Sequence, residues 1–213
     1  MRATPVKKES SSTIAAMVAT YGPIVFEQPL SKEQFINLAE RYPDLQMERD
    51  KNGKTSIMSP VKKGSGKRES TLLALLFIWN NSGILGEVYV SSAGFDLPDG
   101  ATRSPDVAWI SKDRLENAPG TEEDFIKTVP DFIAKIRSAS DRLPSLKNKI
   151  TKDWLPNGVR LAWLIDPYEE NIWIYRAGQD APEVVEGFAG KRLSDATVLP
   201  GFELPLDTMR REQ

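Results

Sequence analysis

The chain has 213 residues, of which 40% are hydrophobic, and a net charge of −2. That length supports one hydrophobic core, and the slightly acidic charge argues against a protein that coats nucleic acid through a basic surface field. Cysteine and histidine are both absent, which excludes disulfides, cysteine–zinc sites, Ser-His-Asp triads and histidine metal ligands. Any catalysis must therefore use carboxylates, lysines, arginines, hydroxyls or a cofactor, and the lack of cysteine favours a cytoplasmic protein.

The first 22 residues predict a flexible arm rather than a signal peptide. Residues 10–13 are polar, and the apolar stretch at 14–19 is too short for a secretory signal. The sequence has no run of about 18 or more apolar residues, so we expect no membrane span. We predict a flexible N-terminal arm over residues 1–22 and one folded domain over residues 23–213.

A helix and a hairpin are predicted after the arm. Residues 31–34 have the capping-box pattern, and apolar residues then recur at helical spacing as far as Pro43. The turn sequence Asp-Lys-Asn-Gly at 50–53 predicts a hairpin between two short strands.

A basic, glycine-rich segment at 62–68 is predicted to be a flexible loop, followed by a central apolar helix over about residues 69–80. Four of its cations are candidates for contact with a phosphate backbone: Lys62, Lys63, Lys67 and Arg68. A solvated charged loop with no ligand explains the same residues equally well.

Two aspartates follow prolines at the start of predicted strands. Asp106 precedes one strand and Asp131 precedes the next. An aspartate in this position is usually a turn or strand cap, so we expect at least one of the two to have only that role.

The strand that follows Asp131 has two basic residues on one face. Alternation places Lys135 and Arg137 on the same side. An isolated lysine in a strand usually extends from an edge to water, whereas two cations on one face favour an anionic partner or a carboxylate neighbour. On the helix predicted next, Lys149 lies beside Ile150, close enough to reach the sheet, although a solvated lysine is the commoner outcome.

A second hairpin is predicted from strands at 161–166 and 171–175, and short strands follow it. The order of elements indicates an α/β or α+β domain around a mixed sheet.

Several segments, in this order, carry a family resemblance: GFDLPDG at 94–100, RSPDVAWI at 103–110, PDFI at 130–133, RSASDRL at 137–143, NGVRLAWLIDP at 157–167 and LPGF at 199–202. Over roughly residues 30–206 the chain resembles the Uma-two family of endonucleases, in the PD-(D/E)XK, restriction-endonuclease-like superfamily. The resemblance implies a restriction-endonuclease-like mixed central sheet flanked by helices. It also implies DNA as substrate, a homodimer, and a site that uses Mg²⁺ or Mn²⁺ to hydrolyse phosphodiesters.

Carried over by motif, Asp106 is the first metal ligand. The family's second ligand, a glutamate, falls on Lys135, and the basic catalytic partner falls on Arg137 or Lys149. Replacing glutamate by lysine changes the local charge by two units. Because unit charges 4 Å apart interact by roughly 4 kcal/mol at an effective dielectric constant of 20, the attraction for a cation becomes repulsion.

Four hypotheses follow from this departure. Lys135 inactivates an otherwise active nuclease, or it marks a natural loss that leaves a nucleic-acid-binding or regulatory module. Alternatively, the alignment is shifted and another carboxylate, Glu48 or Glu87, completes the site. In the fourth hypothesis the chain is a scaffold or interaction protein, whose basic groups only pair with Asp106.

Overall fold

The computed structural model describes residues 14, 16–18, 23–83, 85–116 and 118–211. These form two compact units, one with the described residues up to Pro60 together with Gly100–Arg103, and one with Val61–Asp99 and Ser104 onward. Apart from residues 14 and 16–18, the predicted arm at 1–22 lies outside the described residues. The single domain over residues 23–213 stays a prediction.

The first unit contains a capped helix and small antiparallel strands. Its helix is α1 (Lys32–Arg41), and its strands are β1 (Ile24–Val25), β2 (Met47–Arg49), β3 (Thr55–Ile57) and β6 (Thr102–Arg103), side by side in the order β1-β3-β2-β6. The predicted capping box is confirmed, because Ser31 Oγ accepts from the Gln34 amide at 3.1 Å and Gln34 Oε1 accepts from the Ser31 amide at 2.8 Å. The predicted hairpin forms between β2 and β3.

The second unit is built on a six-stranded mixed sheet, which confirms the predicted fold class. Its strands are β4 (Gly86–Val90), β7 (Val107–Ser111), β8 (Phe132–Ile136), β9 (Leu161–Asp166), β10 (Asn171–Arg176) and β11 (Glu183–Glu186), in the order β11-β10-β9-β8-β7-β4. Strands β8 and β9 are parallel, and the other neighbours are antiparallel. Short strands complete the unit: β5 (Phe95–Asp96), and a hairpin of β12 (Arg192–Asp195) and β13 (Leu199–Pro205).

Three helices belong to the second unit: α2 (Lys63–Gly83), α3 (Lys112–Leu115) and α4 (Leu143–Lys149). Helix α4 continues as a π turn over Ile150–Trp154 and a 3-10 turn over Leu155–Asn157. Gly158 ends this helical segment with a φ of +106°, a conformation that glycine adopts without strain.

The flexible loop predicted at 62–68 was wrong, because α2 already begins at Lys63. Two glycines near its start, Gly64 and Gly66, have low helix propensity and made the segment look like a loop. The buried side chains of Ser65 and Arg68 show that tertiary packing outweighs this local preference.

The core of the second unit lies between α2 and the sheet. Leu72, Leu76 and Trp79 pack against strand residues such as Trp109 and Trp163. Each buried aliphatic side chain of this kind contributes about 1.5–3 kcal/mol relative to exposure.

Among the described residues, no helix is both long enough and apolar enough to cross a membrane.

Candidate functional site

The pairing of β7 with β8 places Asp106 beside Lys135. Val107 is opposite Ala134 in the antiparallel register, and the Asp106 amide donates to the Ala134 carbonyl at 3.0 Å. Asp106 immediately precedes β7, whereas Lys135 is near the carboxyl end of β8. Two residues 29 positions apart in the sequence therefore meet at one edge of the sheet.

Asp106 and Lys135 form a close, largely buried ion pair. Lys135 Nζ donates to Asp106 Oδ1 at 2.5 Å, and the Ile136 amide donates to Oδ2 at 2.5 Å. The side chains are 10% and 18% exposed respectively. Both carboxylate oxygens are thus engaged by donors from β8, and the expectation of a carboxylate neighbour for Lys135 is confirmed.

A third ionisable group at this centre, Glu69 of α2, was missed by the sequence interpretation. Burial is the largest cause that raises the pKa of the Glu69 carboxyl to about 7, and the negative charge of Asp106 adds to it. Lys135, a hydrogen bond with Ser91 and the charge of Arg68 act in the opposite direction. Glu69 is therefore close enough for the charges of Asp106 and Lys135 to change its pKa.

A sequence signal for Glu69 did exist. It lies three residues before Leu72 and seven before Leu76, on the helix face that is buried against the sheet. A carboxylate on the buried face of an apolar helix is unusual. Starting the helix at residue 69 concealed the signal, because an acidic residue in the first turn of a helix is ordinary.

Arg137 follows β8 and is held at the same edge. Its Nη1 donates to Asp166 Oδ2 at 2.6 Å, and its guanidinium lies 5.4 Å from the centre of the Tyr168 ring. Asp166 is the last residue of β9, which runs parallel to β8. The carboxyl ends of the two parallel strands therefore meet here, in the position where open α/β sheets commonly bind ligands.

Lys149 is near the end of α4 and lines an open cleft of about 780 Å³ together with Arg137. The predicted residues thus fall into two groups: the ion pair of Asp106 with Lys135, and the cleft that contains Arg137 and Lys149.

Each of the two alternative carboxylates has a described hydrogen-bond partner of its own. Glu48 belongs to the first unit, where its Oε2 accepts from Arg103 Nη1 at 3.3 Å. Glu87 lies opposite Ile110 in the β4–β7 register, so it is roughly 10 Å or more along the strands from Asp106. Its carboxylate accepts a hydrogen bond from the Tyr89 hydroxyl.

Of the four cations predicted to follow a phosphate backbone, Lys62 immediately precedes α2 and the other three belong to its first turns. Lys62, Lys63 and Lys67 are exposed, which a contact with nucleic acid requires. Arg68 is buried, and its charge acts on Glu69 instead. The role of the three lysines stays a prediction.

The residues at this centre do not fit a divalent cation. Such a cation would be next to the Lys135 ammonium, and both Asp106 oxygens already accept hydrogen bonds. Within the described parts of the chain, no group of three or more carboxylates, histidines or cysteines is placed to hold a metal ion.

The chain is similar to known proteins in both sequence and fold. The sequence pattern of the Uma2 family, described as "Putative restriction endonuclease", matches residues 32–207. The chain belongs to the Uma2 family. No curated protein matches its sequence.

One solved structure similar to this Uma2 member is that of a "putative nuclease belonging to DUF820" from Anabaena variabilis. The two chains share 19% sequence identity with a TM-score of 0.67, and the match covers 85% of this chain and 97% of the other. At this identity the similarity shows a common fold, and it confirms the predicted sheet architecture. The family resemblance seen in the sequence is confirmed as well.

Proposed function

We propose that this Uma2 member is a DNA endonuclease scaffold in which Lys135 blocks metal-dependent hydrolysis of phosphodiesters. The observation that carries this proposal is the 2.5 Å contact between Lys135 Nζ and Asp106 Oδ1. The family's glutamate position is occupied by a cation that is bonded to the first carboxylate. Glu69, whose carboxyl interacts with both members of this pair, supports the proposal as a further acidic group at the same centre.

The charge of residue 135 explains why a single residue would be enough to prevent metal-dependent hydrolysis. With glutamate at position 135, the centre would have three carboxylates, an oxygen-rich set of the kind that Mg²⁺ and Mn²⁺ bind. With lysine, one unit of attraction becomes one of repulsion. At 4 Å and an effective dielectric constant of 20 each unit-charge interaction is roughly 4 kcal/mol, so the reversal changes a binding constant or rate by a factor of about a thousand or more.

The test is to compare the unmodified chain with Lys135→Glu on plasmid and single-stranded DNA, in Mg²⁺ and in Mn²⁺. We expect no cleavage by the unmodified chain and cleavage by Lys135→Glu. Lys135→Gln is the matched control, because it removes the ammonium without adding a ligand and should remain inactive. Adding Asp106→Asn to Lys135→Glu should abolish the gain, and absence of cleavage in both metals would refute the proposal.

A second candidate function is a nucleic-acid-binding or regulatory module that does not cleave. The cleft that contains Arg137 and Lys149 favours this alternative, because its cations can contact phosphates directly. It predicts that Lys135→Glu stays inactive while DNA binding falls steeply with salt and weakens in Lys149→Ala.

Two other predictions concern the assembly and its location. Cutting both strands of DNA commonly uses two sites, so we predict a homodimer, which light scattering on the purified chain would test. Cytoplasmic location stays a prediction from the absence of cysteine.

A further inference from the structure

We infer that the cleft beside α4 binds the phosphodiester backbone of a nucleic acid, and that it does so without a divalent cation. The inference rests on the proposed nucleic-acid substrate of the scaffold. It adds two residues to the site, Arg142 and Lys152. It also states that binding of the phosphodiester backbone needs no divalent cation.

The cleft is basic in a chain that is acidic overall. Four cations line it, Arg137, Arg142, Lys149 and Lys152, against two carboxylates, Asp141 and Asp153. This surplus of positive charge contrasts with the net charge of −2 for the whole chain. A local basic surface of this kind attracts a polyanion even when the total charge does not.

One of the two acidic residues is already used within the fold. Asp141 Oδ2 accepts from the Ser138 amide at 2.8 Å and from Ser138 Oγ at 2.7 Å. These bonds fix the turn between β8 and α4, and they direct that oxygen at the protein backbone. The repulsion that a phosphate would meet in the cleft is correspondingly reduced.

The cations are arranged in a row of suitable length. Arg142 is the N-cap of α4, Lys149 is its last residue and Lys152 lies in the π turn that follows, and all three line the cleft. The seven residues of α4 alone span roughly 10 Å. Since nucleotides in one DNA strand rise by about 3.4 Å each, the row can contact more than one phosphate.

Arg137 anchors one side of the cleft in a fixed position. Its ion pair with the fully buried Asp166 and its contact with Tyr168 hold the guanidinium at the end of β8. Arg142 and Lys152, by contrast, are exposed and can adjust to the ligand. A rigid contact combined with mobile ones is suited to a backbone whose sequence varies.

Independence from metal follows from Lys135, two residues before Arg137. Its ammonium neutralises Asp106 within the fold. A glutamate at position 135 would leave uncompensated carboxylates two residues from Arg137. Binding of a phosphate in the cleft would then need a dissolved cation to offset their charge. The lysine is covalently attached, so chelation cannot remove its charge.

The test measures binding of labelled single-stranded and duplex DNA by fluorescence anisotropy in EDTA over a range of salt concentrations. For Arg142→Gln/Lys152→Gln we expect at least about tenfold weaker binding, and a slope of log K against log salt that is smaller by about 1–2. Lys51→Gln/Lys54→Gln is the matched control, because it removes the same two charges from the exposed turn after β2 and should change binding less than about twofold. Circular dichroism and thermal melting check that both variants fold.

Several outcomes would overturn the inference. These are equal effects of the two double variants, absence of DNA binding in EDTA, and a larger loss in Lys62→Gln/Lys63→Gln/Lys67→Gln than in the cleft variant. Equal affinity for phosphatidylserine-containing vesicles would identify a general anion surface and would also overturn it.

Failure of this inference can be told apart from failure of the proposed function. If Lys135→Glu cleaves DNA but Arg142→Gln/Lys152→Gln binds it normally, the cleft assignment is wrong and the nuclease scaffold stands. If Lys135→Glu does not cleave but the cleft variant loses binding, the cleft assignment stands and the nuclease proposal is wrong.

Discussion

Asp106 and Asp131 have the same local sequence but different surroundings. Each follows a proline and precedes a strand of the mixed sheet. Asp131 is 1% exposed, and its Oδ1 lies 3.1 Å from Arg114 Nε and 3.2 Å from Arg160 Nη1. Its Oδ2 accepts from the Ser111 amide at 2.8 Å. Asp106 instead faces Lys135 and shares its surroundings with a second carboxylate, Glu69.

The direction of the strands explains the difference. Because β7 and β8 are antiparallel, Asp131 at the start of β8 lies beside Ser111 at the end of β7, and Asp106 lies at the opposite edge. That opposite edge is where the parallel strands β8 and β9 end. Asp131 thus joins a loop and a helix to the sheet, whereas Asp106 belongs to the edge where ligands commonly bind.

The largest effect on stability should come from Asp131→Ala. It leaves the Ser111 amide without its acceptor and two arginines without their shared carboxylate. We expect the free energy of unfolding to fall by about 2–4 kcal/mol, towards the lower part of the range for broken buried pairs because both arginines also reach solvent. Urea denaturation measures the change, and a loss no greater than that of Asp106→Ala would abolish the contrast between the two sites.

A smaller, pH-dependent effect is expected for Glu69→Gln. In the folded chain the pKa of the Glu69 carboxyl is about 7, whereas the ordinary pKa of a glutamate in the unfolded chain is 4.5. The folded state therefore binds the extra proton between those values, and its stability falls as the pH rises through that window. A shift of that size corresponds to at most about 3 kcal/mol, which screening by solvent reduces to about 1–2 kcal/mol.

Glu69→Gln removes the loss of stability that ionisation of Glu69 causes at high pH. The variant should therefore be more stable than the unmodified chain at pH 8 and nearly equal to it at pH 4.5. Urea denaturation at several pH values gives the comparison. Asp124→Asn is a useful reference, because a hydrogen bond from the Thr121 amide and the charge of Lys127 hold the pKa of that carboxyl below its ordinary value and therefore outside this window. A stability difference independent of pH would show that Glu69 does not titrate in this window.

The smallest effect is expected for Asp106→Asn, at about 1 kcal/mol of lost stability. The effect is small because the asparagine amide oxygen can still accept a hydrogen bond from β8, and because loss of the Asp106 charge relieves its repulsion of Glu69. The same substitution should lower the pKa of Glu69, because Asp106 is one of the causes that raise it. The chemical shift of the labelled Glu69 carboxyl against pH would measure this change, and an unchanged pKa would show that the two carboxylates do not interact.

Local rules predicted the elements that local interactions stabilise. The capping box at Ser31, the hairpin at 50–53 and the alternation along β8 were all readable from the sequence. The expectation that one of the two Pro-Asp aspartates has a structural role agrees with the contacts of Asp131.

The start of α2 and the place of Glu69 could not be read in the same way. Burial of Ser65 and Arg68 determines the first turns of α2, and a periodicity pattern does not reveal such contacts. Glu69 acquires its environment from Asp106 and Lys135, which are distant in sequence and come together only when the sheet forms. The missing information was therefore the tertiary arrangement, and not the chemistry of the side chains.

The Asp106–Lys135 ion pair also has a consequence for the gene. Lysine and glutamate codons differ only at the first base, so a single nucleotide exchange at codon 135 would convert the lysine into the glutamate that the family resemblance implies. With lysine, the charge of Asp106 is balanced by a cation that is covalently part of the chain. The internal ion pair and the acidic site that the resemblance implies are therefore separated by one nucleotide.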